Sequence, residues 1–454
     1  MRRLTIALIA LTTILGGTAI RVLAAPPAPL GEPTLTQRLQ RLEGAVRRGD
    51  VDGVSFGSLT TIGAYIYDAR RRERSDERYF ARMLERAEGL LAAAEQGRDR
   101  LAEERGFLWR GYRSRYSVRP QMYSIYVPED YDPAVAEPLI VSLHGGSSNH
   151  NVWLALNLGN KIKVDDFWES HRKRFRARKH PDAIVVAPDG LGQIRWRWAG
   201  EQDVLDVIED VQRAYNINPD KIFLTGLSNG AIGSYTIGLK HAWRFAAVLP
   251  LAGVTDWLAH HEAAGRWRPA ELQVLRNESA ITYAENAANT HLRFYHGRKD
   301  PGLSVEQARR MHKKLERLGI DHRYHEFENQ GHDLGHVLWR RLLVMRFVDR
   351  YTRQRAPTEV RLATASERAN RQHWLVLDDR IDHQKPARLV ARVVAPGAVE
   401  VEAENAARFS LLLDEAPLSS PARVSVDGQR VYEGPFPQGS RLTFSSALAP
   451  VESV

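Results

Sequence analysis

The sequence predicts an α/β fold built on a doubly wound, mostly parallel sheet, with a helical N-terminal region before it and a small β-sandwich after it. Three observations carry this. Between Phe107 and Arg353, short apolar runs that end in turn residues alternate with helical segments. Near-continuous apolar strands separated by helices mean a parallel sheet covered on both faces. Before Phe107 the apolar residues recur at helical spacing, and after Pro357 only short strand runs are found.

The chain opens with two arginines, an apolar stretch from Leu4 to Ile20, and small residues up to Ala24. Val22 and Ala24 fit a signal peptidase site, so residues 1–24 read as a signal peptide and the remainder as exported, periplasmic or secreted. Arg21 falls late for that pattern. An uncleaved membrane anchor stays open, because the apolar stretch approaches the length of a span. A proline-rich linker follows. From 34 to 106 the pattern is helical: Leu35, Leu39 and Leu42, then Tyr79, Met83, Leu84, Ala87, Leu90 and Leu91, with a turn at DGVSFG between the two sets. This region reads as a packing or spacing element.

Residues 107–355 form the sheet domain. YRSRYSV and MYSIYVP read as strands joined at Pro120. PLIVSLHG, AIVVAPDG, KIFLTG, FAAVLPLAG, HLRFYHG and HRYHEFE follow as further strands. Helices are expected from Asp165, over Val204–Tyr215, Asn229–His241 and Val305–Leu318, and over Leu334–Arg353. The segment Thr255–Thr290 is long for a crossover and is read as a cap over the sheet's carboxyl edge. Residues 357–454 carry short strands, with Asp427-Gly428 as a hairpin turn, and read as a sandwich.

Composition limits the chemistry. Of 454 residues 43% are hydrophobic, enough for a sizeable core, and there is no cysteine, which excludes disulfides and a thiol nucleophile. The leader's three arginines leave +6 of the formal charge of +9 on the rest. His171–His180 holds six Arg and Lys, but acids stand at the start of the same predicted helix. That is the arrangement of a solvated helix complementing its dipole; contact with an anionic substrate or surface is the alternative, and nucleic acid is not indicated.

KIFLTGLSNGA places Ser228 between an apolar strand and a helix, with Gly226 and Gly230 two positions to either side. A serine presented on so tight a turn needs small residues there, and the following helix aims its N-terminal amides at developing negative charge. Gly145, Gly146 and Ser147 end an earlier strand. With the amide of Asn229, the amide of Gly146 or of its neighbour Ser147 forms a candidate oxyanion hole. Asp300 follows one later strand and His332 the next. Ser228, Asp300 and His332 thus stand in the order nucleophile, acid, base. Asp256 is a rival acid, and His336, four residues past His332, has the spacing of a metal pair. Trp153, Trp196 and Trp198 follow strand ends and are candidate substrate contacts or packing residues.

SLHGGSS, VVAPDG, DVLDVIEDVQRAYNINPDKIFLTGLSNGA, YHGRKD and GHDLGH together resemble the α/β-hydrolase superfamily over about half of the chain, from Tyr123 to Tyr351. Within it the chain is similar to prolyl oligopeptidase catalytic domains and to secreted esterases of the polyhydroxybutyrate depolymerase, feruloyl esterase and acetylxylan esterase type. The resemblance implies Ser228 as nucleophile, Asp300 as acid, His332 as base, and the Gly146 region with Asn229 as oxyanion site; the residues themselves lead to no expectation of a cofactor or metal. It departs in Ala231, where many relatives have a third glycine, and in a helical region too short to be the peptidases' β-propeller. The expected function is an exported serine hydrolase acting on small or polymeric carboxylic esters. A serine peptidase, or a non-catalytic binding protein on the same scaffold, are the alternatives.

Overall fold

The computed structural model describes residues 33–159, 182–192, 194–260, 267–334, 343–436, 440–445 and 450–451. The leader, the basic stretch His171–His180 with its predicted helix, and His336 lie outside the described residues. No helix among the described residues is long and apolar enough to cross a membrane.

Three helices come first, Leu35–Arg48, Phe56–Arg72 and Glu77–Ala94. The first is fixed by local chemistry: Thr34 and Gln37 form a capping box, and Gly49 closes the end at φ 76°. Leu39, Leu42, Tyr79, Met83, Ala87, Leu90 and Leu91 are buried, as their spacing predicts. The helix Phe56–Arg72 is docked on the sheet domain. Its Thr61 Oγ1 accepts from the Gly111 amide at 2.9 Å, and Tyr65 donates its hydroxyl to the Trp109 carbonyl at 2.8 Å. A Cβ on Gly111 would stand 2.6 Å from Ala64 Cβ, so this glycine sets how closely helix and strand approach.

The strand beneath that helix is β1 (Gly106–Tyr112), followed by β2 (Gln121–Val127), β3 (Glu137–Leu143), β4 (Ile184–Ala187), β5 (Ile217–Leu227), β6 (Ala247–Leu251), β7 (His291–Gly297) and β8 (His322–Phe327). They form one sheet in the order β1-β2-β4-β3-β5-β6-β7-β8, with only β2 antiparallel to its neighbours. The expected doubly wound α/β-hydrolase sheet is therefore present. One correction concerns β1. The strand is Gly106–Tyr112, fully buried, whereas most of YRSRYSV belongs to the connection to β2. The alternation of Tyr and Ser imitates a strand, but the register of β1 runs from Gly106 opposite Val127 to Tyr112 opposite Gln121.

Alternate residues of the strands feed two cores. Ile140, Val185, Phe223 and Leu249 face the N-terminal helices and the helix His150–Asn157. Leu139, Val141, Ile184, Val186 and Leu224 face the helices Ala199–Ala214 and Asn229–Lys240. The segment read as a cap is divided: Trp257 and Leu275 pack with Ile232 and Leu303, near the start of the helix Asn229–Lys240 and the Asp300 loop, whereas its last part lies elsewhere. Its stretch Ala280–Asn289 packs on the far end of the helix Asn229–Lys240 and on the C-terminal region: Asn286 Nδ2 donates to the carbonyls of Leu239 and Ala363, each at 3.0 Å.

The C-terminal strands are β9 (Glu359–Thr364), β10 (Arg371–Gln372), β11 (Leu375–Arg380), β12 (Ala387–Ala395), β13 (Ala398–Glu404), β14 (Ala406–Leu412), β15 (Ala422–Val426), β16 (Gln429–Gly434), β17 (Arg441–Ser445) and β18 (Pro450–Val451). They form two five-stranded sheets, β10-β11-β14-β17-β18 and β16-β15-β13-β12-β9. Residues of both, among them Leu375, Phe409 and Phe444 from one and Leu389, Val401 and Val424 from the other, share one core. Asp427 and Gly428 both have positive φ, 48° and 81°, and make the tight turn between β15 and β16 that their dipeptide predicts.

Candidate functional site

Ser228 stands between β5 and the helix Asn229–Lys240 with φ 61° and ψ −120°, a strained conformation for a residue with a side chain. Its amide donates to the Leu251 carbonyl at 3.0 Å, which ties the turn to the end of β6. The flanking glycines are required by contact. A Cβ on Gly226 would stand 2.5 Å from the carbonyl carbon of Gly230. One on Gly230 would collide with the Leu143 carbonyl oxygen and stand 2.7 Å from its carbon.

The segment after β3 lies against this turn. A Cβ on Gly145 would be 3.3 Å from the Leu227 carbonyl oxygen and 3.5 Å from Ser228 Cβ, and one on Gly146 would be 3.0 Å from Asn229 Nδ2. Gly145 and Gly146 therefore adjoin the serine and the first residue of its helix. Gly146 and Ser147 are exposed, and Ser147 has φ 61°. Bare backbone next to the serine, together with the free amides of a helix N-terminus, is the material of an oxyanion hole.

His332 Nδ1 is 2.7 Å from Asp300 Oδ2, so the acid and base candidates are joined. The carboxyl side chain of Asp300 is fully buried, while that of His332 is one-third exposed, at 34%. Asp300 Oδ1 accepts from the amides of Gly302 and Leu303, both at 2.9 Å. Burial pushes this carboxyl up, but the Leu303 amide, the His332 imidazole and the Gly302 amide outweigh it and hold it below its ordinary value. Asp300 is thus an anion facing Nδ1, which places the proton of neutral His332 on Nδ1 and leaves Nε2 as the acceptor. Gly297 ends β7 where its missing side chain lets the Gly331 carbonyl press against it, bringing the His332 loop onto the strand end.

Ser228 Oγ and His332 make no hydrogen bond among the described residues. The structure joins acid to base and sets the nucleophile candidate at the same edge of the sheet. Such contacts are often long without substrate and tighten when it binds. Asp256 is elsewhere: its Oδ1 caps the short helix Trp257–His260 through the amides of Leu258 and Ala259 at 3.1 and 3.2 Å. Among the described residues no group of three or more His, Asp or Glu side chains is arranged to hold a metal.

The tryptophans require correction. Trp153 is 7% exposed and Trp196 3%, so neither offers a surface to substrate. Trp153 Nε1 donates to Ser142 Oγ at 2.9 Å and Trp196 Nε1 to the His144 carbonyl at 3.2 Å. The Trp196 ring occupies the space left by Gly190 and Gly233. Trp198 is exposed, at 57%, but lines a recess with Lys240, His241, Ser366 and Arg368, at the opposite end of the helix from Ser228. Sequence reasoning passed over His296. It is fully buried beneath Asp300, its Nε2 donating to the Leu303 carbonyl at 2.9 Å and standing 3.4 Å from Asp300 Oδ2. Burial lowers its pKa and keeps it neutral. The only sequence signal was its place four residues before Asp300.

Comparison with known proteins places the chain among relatives of one kind. Residues 192–354 match the prolyl oligopeptidase family. The chain is similar to a protein of Aspergillus niger described as probable feruloyl esterase C, 29% identical over 141 residues, covering 30% of this chain and 48% of that one. It is also similar to a Bacillus subtilis protein described as uncharacterized peptidase YuxL, 23% identical over 230 residues, covering 46% of this chain and 32% of that one. Among solved structures, Pyrococcus horikoshii acylaminoacyl peptidase superposes with a TM-score of 0.43 and 21% identity, covering 56% of this chain and 43% of the other. The chain spans about half or less of the length of the curated relatives cited. The matches bear out the expected relationship to α/β-hydrolases of the serine-hydrolase type, with both esterase and peptidase kin.

Proposed function

We propose that this chain is an exported serine hydrolase that cleaves carboxylic esters through Ser228, His332 and Asp300. The observation that carries the reading is the Asp300–His332 pair at the sheet edge where Ser228 stands on a strained turn. In the proposed reaction Ser228 Oγ attacks the carbonyl carbon and its proton passes to His332 Nε2. The resulting imidazolium is stabilised by Asp300. The oxyanion is held by the amide of Asn229 and that of Gly146 or Ser147. Collapse expels the alcohol, which takes the proton from His332. Water, activated by the same imidazole, then releases the acid and restores Ser228.

Ester cleavage is favoured over peptide cleavage by the likeness to a probable feruloyl esterase. The family match over 192–354 and the peptidase relative support the alternative, a serine peptidase. A fluorophosphonate probe separates either from a non-catalytic protein: one adduct, on Ser228, is expected, and none in folded protein would refute the proposal. A panel of short acyl, aromatic acyl and Pro-Xaa peptide substrates then decides between them. Higher kcat/KM on a peptide than on every ester would reverse the ranking. Export is checked by N-terminal sequencing of the protein recovered outside the cytoplasm, with Ala25 expected as the first residue.

A further inference from the structure

The N-terminal helices do more than cover an edge of the sheet. Between them and the sheet domain lies a cleft of about 350 Å³ whose floor and rim are polar. Asn149, His150 and Asp189 form part of its lining. Asn149 is two residues past Ser147, so at 3.8 Å per residue it begins within about 8 Å of the oxyanion segment. Asp189 adjoins the same segment, its carbonyl lying 3.2 Å from His144 Nε2. The cleft therefore borders the segment proposed to hold the oxyanion.

The same lining is rich in cations. Arg71 and Arg72 come from the last turn of the helix Phe56–Arg72, and Arg119 from the connection between β1 and β2. One buried carboxylate, Asp68, organises the first two. It is 4% exposed, accepts the Tyr79 hydroxyl, and stands 3.4 Å from Arg71 Nη2 and 3.6 Å from Arg72 Nε. The Arg72 guanidinium also lies over the Tyr79 ring, 4.5 Å from its centroid. Arg119 lies over the Tyr67 ring and has no acid within 4.0 Å among the described residues. Arg71 and Arg72 thus share Asp68, Arg119 has no such partner, and the cleft sets three guanidinium groups against the carboxylates of Asp68 and Asp189, with the forks of Arg72 and Arg119 lying over the Tyr79 and Tyr67 rings. That arrangement matches a planar anion with two oxygens better than a neutral or apolar group.

We infer that this cleft is a subsite for a carboxylate carried by the substrate, bound by Arg119, Arg71 and Arg72. The inference rests on the ester-hydrolase reading for its placement beside the carbonyl. The carboxylate can be carried on either side of the scissile ester, and the test separates the two.

Two pairs of esters are compared with the purified full chain. One pair carries a carboxylate or its carboxamide isostere on the alcohol side, as in glycolate esters. The other carries it on the acyl side, as in succinate monoesters. In one pair the carboxylate is expected to raise kcat/KM about tenfold or more, the scale of a partly exposed charge-assisted contact, mainly through KM. Arg119→Gln should bring that ratio to within about twofold of one, Arg119→Lys should keep much of it, and added salt should shrink it. Arg71→Gln with Arg72→Gln should do the same. Arg119 sits on a connecting loop, so its variants hold the test if the double variant does not fold. A ratio near one in both pairs, or one indifferent to Arg119→Gln, overturns the inference, as does a preference for polyhydroxylated esters unaffected by the arginines. If no ester is turned over at all, it is the hydrolase reading that fails. Calorimetry with succinate and glycolate then judges the cleft alone: binding lost in Arg119→Gln supports it, and no binding to the wild-type chain refutes it.

Discussion

Gly230→Ala is the substitution whose consequence the structure defines most sharply. The added Cβ would stand 2.7 Å from the Leu143 carbonyl carbon and 3.0 Å from the His144 carbonyl oxygen, against 3.4–4 Å for ordinary contact. Both neighbours are backbone, so no side chain can rotate away. Either the start of the helix Asn229–Lys240 or the end of β3 must move by roughly 0.7 Å or more to restore contact distance. Leu143 leads directly into His144, Gly145 and Gly146, and the helix begins with Asn229. The displacement therefore falls between the nucleophile and both sides of the candidate oxyanion hole. A misplacement near 1 Å costs on the order of 100-fold in rate, and overpacking of this kind costs about 1–3 kcal/mol in stability. The assay is kcat and KM on a short acyl ester together with thermal unfolding of the same preparation. The expected result is a folded protein, a Tm lowered by several degrees, and kcat down about 100-fold or more. Gly89→Ala, on an exposed face of the helix Glu77–Ala94 with nothing closer than 4.0 Å, serves as the control and should keep full activity. A folded Gly230→Ala protein with kcat within tenfold of wild type would refute the reasoning that couples these two segments.

Other outcomes follow from the same contacts. Asp300→Asn should lower kcat on the order of 10⁴-fold, because an amide nitrogen facing Nδ1 favours the wrong tautomer, while Asp256→Asn should leave ester turnover within a few-fold; the reverse pattern in kinetics would exchange their roles. Glu201 is buried between Lys240 Nζ at 2.8 Å and His241 Nε2 at 2.9 Å. Burial raises its carboxyl, but Lys240 and His241 outweigh that and bring it from 4.5 to about 2. A folded pKa below the unfolded one means this stabilisation is complete above about pH 4.5 and is lost as pH falls towards 2. Glu201→Gln should thus lose about 3 kcal/mol at pH 7 and show a flatter loss of stability between pH 4.5 and 2, read by denaturant unfolding. Trp196→Ala should cost about 3–5 kcal/mol by the same measurement, and a near-neutral effect would contradict its place in the core.

What could be read from the sequence was what local chemistry decides. The turn at Ser228 demands glycine at 226 and 230 because neighbouring backbone fills the space, and that demand is written within five residues. Buried parallel strands announce themselves as apolar runs, and β7 begins and ends where its run does. The rest depended on partners far along the chain. An indole can face a ligand or the core, and the choice for Trp153 and Trp196 rests on Ser142 Oγ and the His144 carbonyl, at separations of 11 and 52 residues. The docking of the helix Phe56–Arg72 depends on Gly111, 50 residues past Thr61. His296 gave no sign of its place under Asp300 beyond standing four residues before it, because a strand residue's burial is set by what covers the sheet.

The two buried tryptophans change how the site is understood. Both donate to the end of β3, one to Ser142 and the other to His144, the residue immediately before Gly145. The His144 ring is fixed in turn, its edge against Trp196 at 4.8 Å between centroids and its Nε2 3.2 Å from the Asp189 carbonyl. Donors aimed at an oxyanion are useful only if they are already in position when charge develops, since reorienting them then would add to the barrier. Gly145 and Gly146 have no side chains to anchor them, so their positions must be imposed by what precedes them. Trp153, Trp196 and His144 supply that constraint from three directions. Trp153 and Trp196, which the sequence offers as substrate contacts, thus brace the backbone that leads into the candidate oxyanion segment.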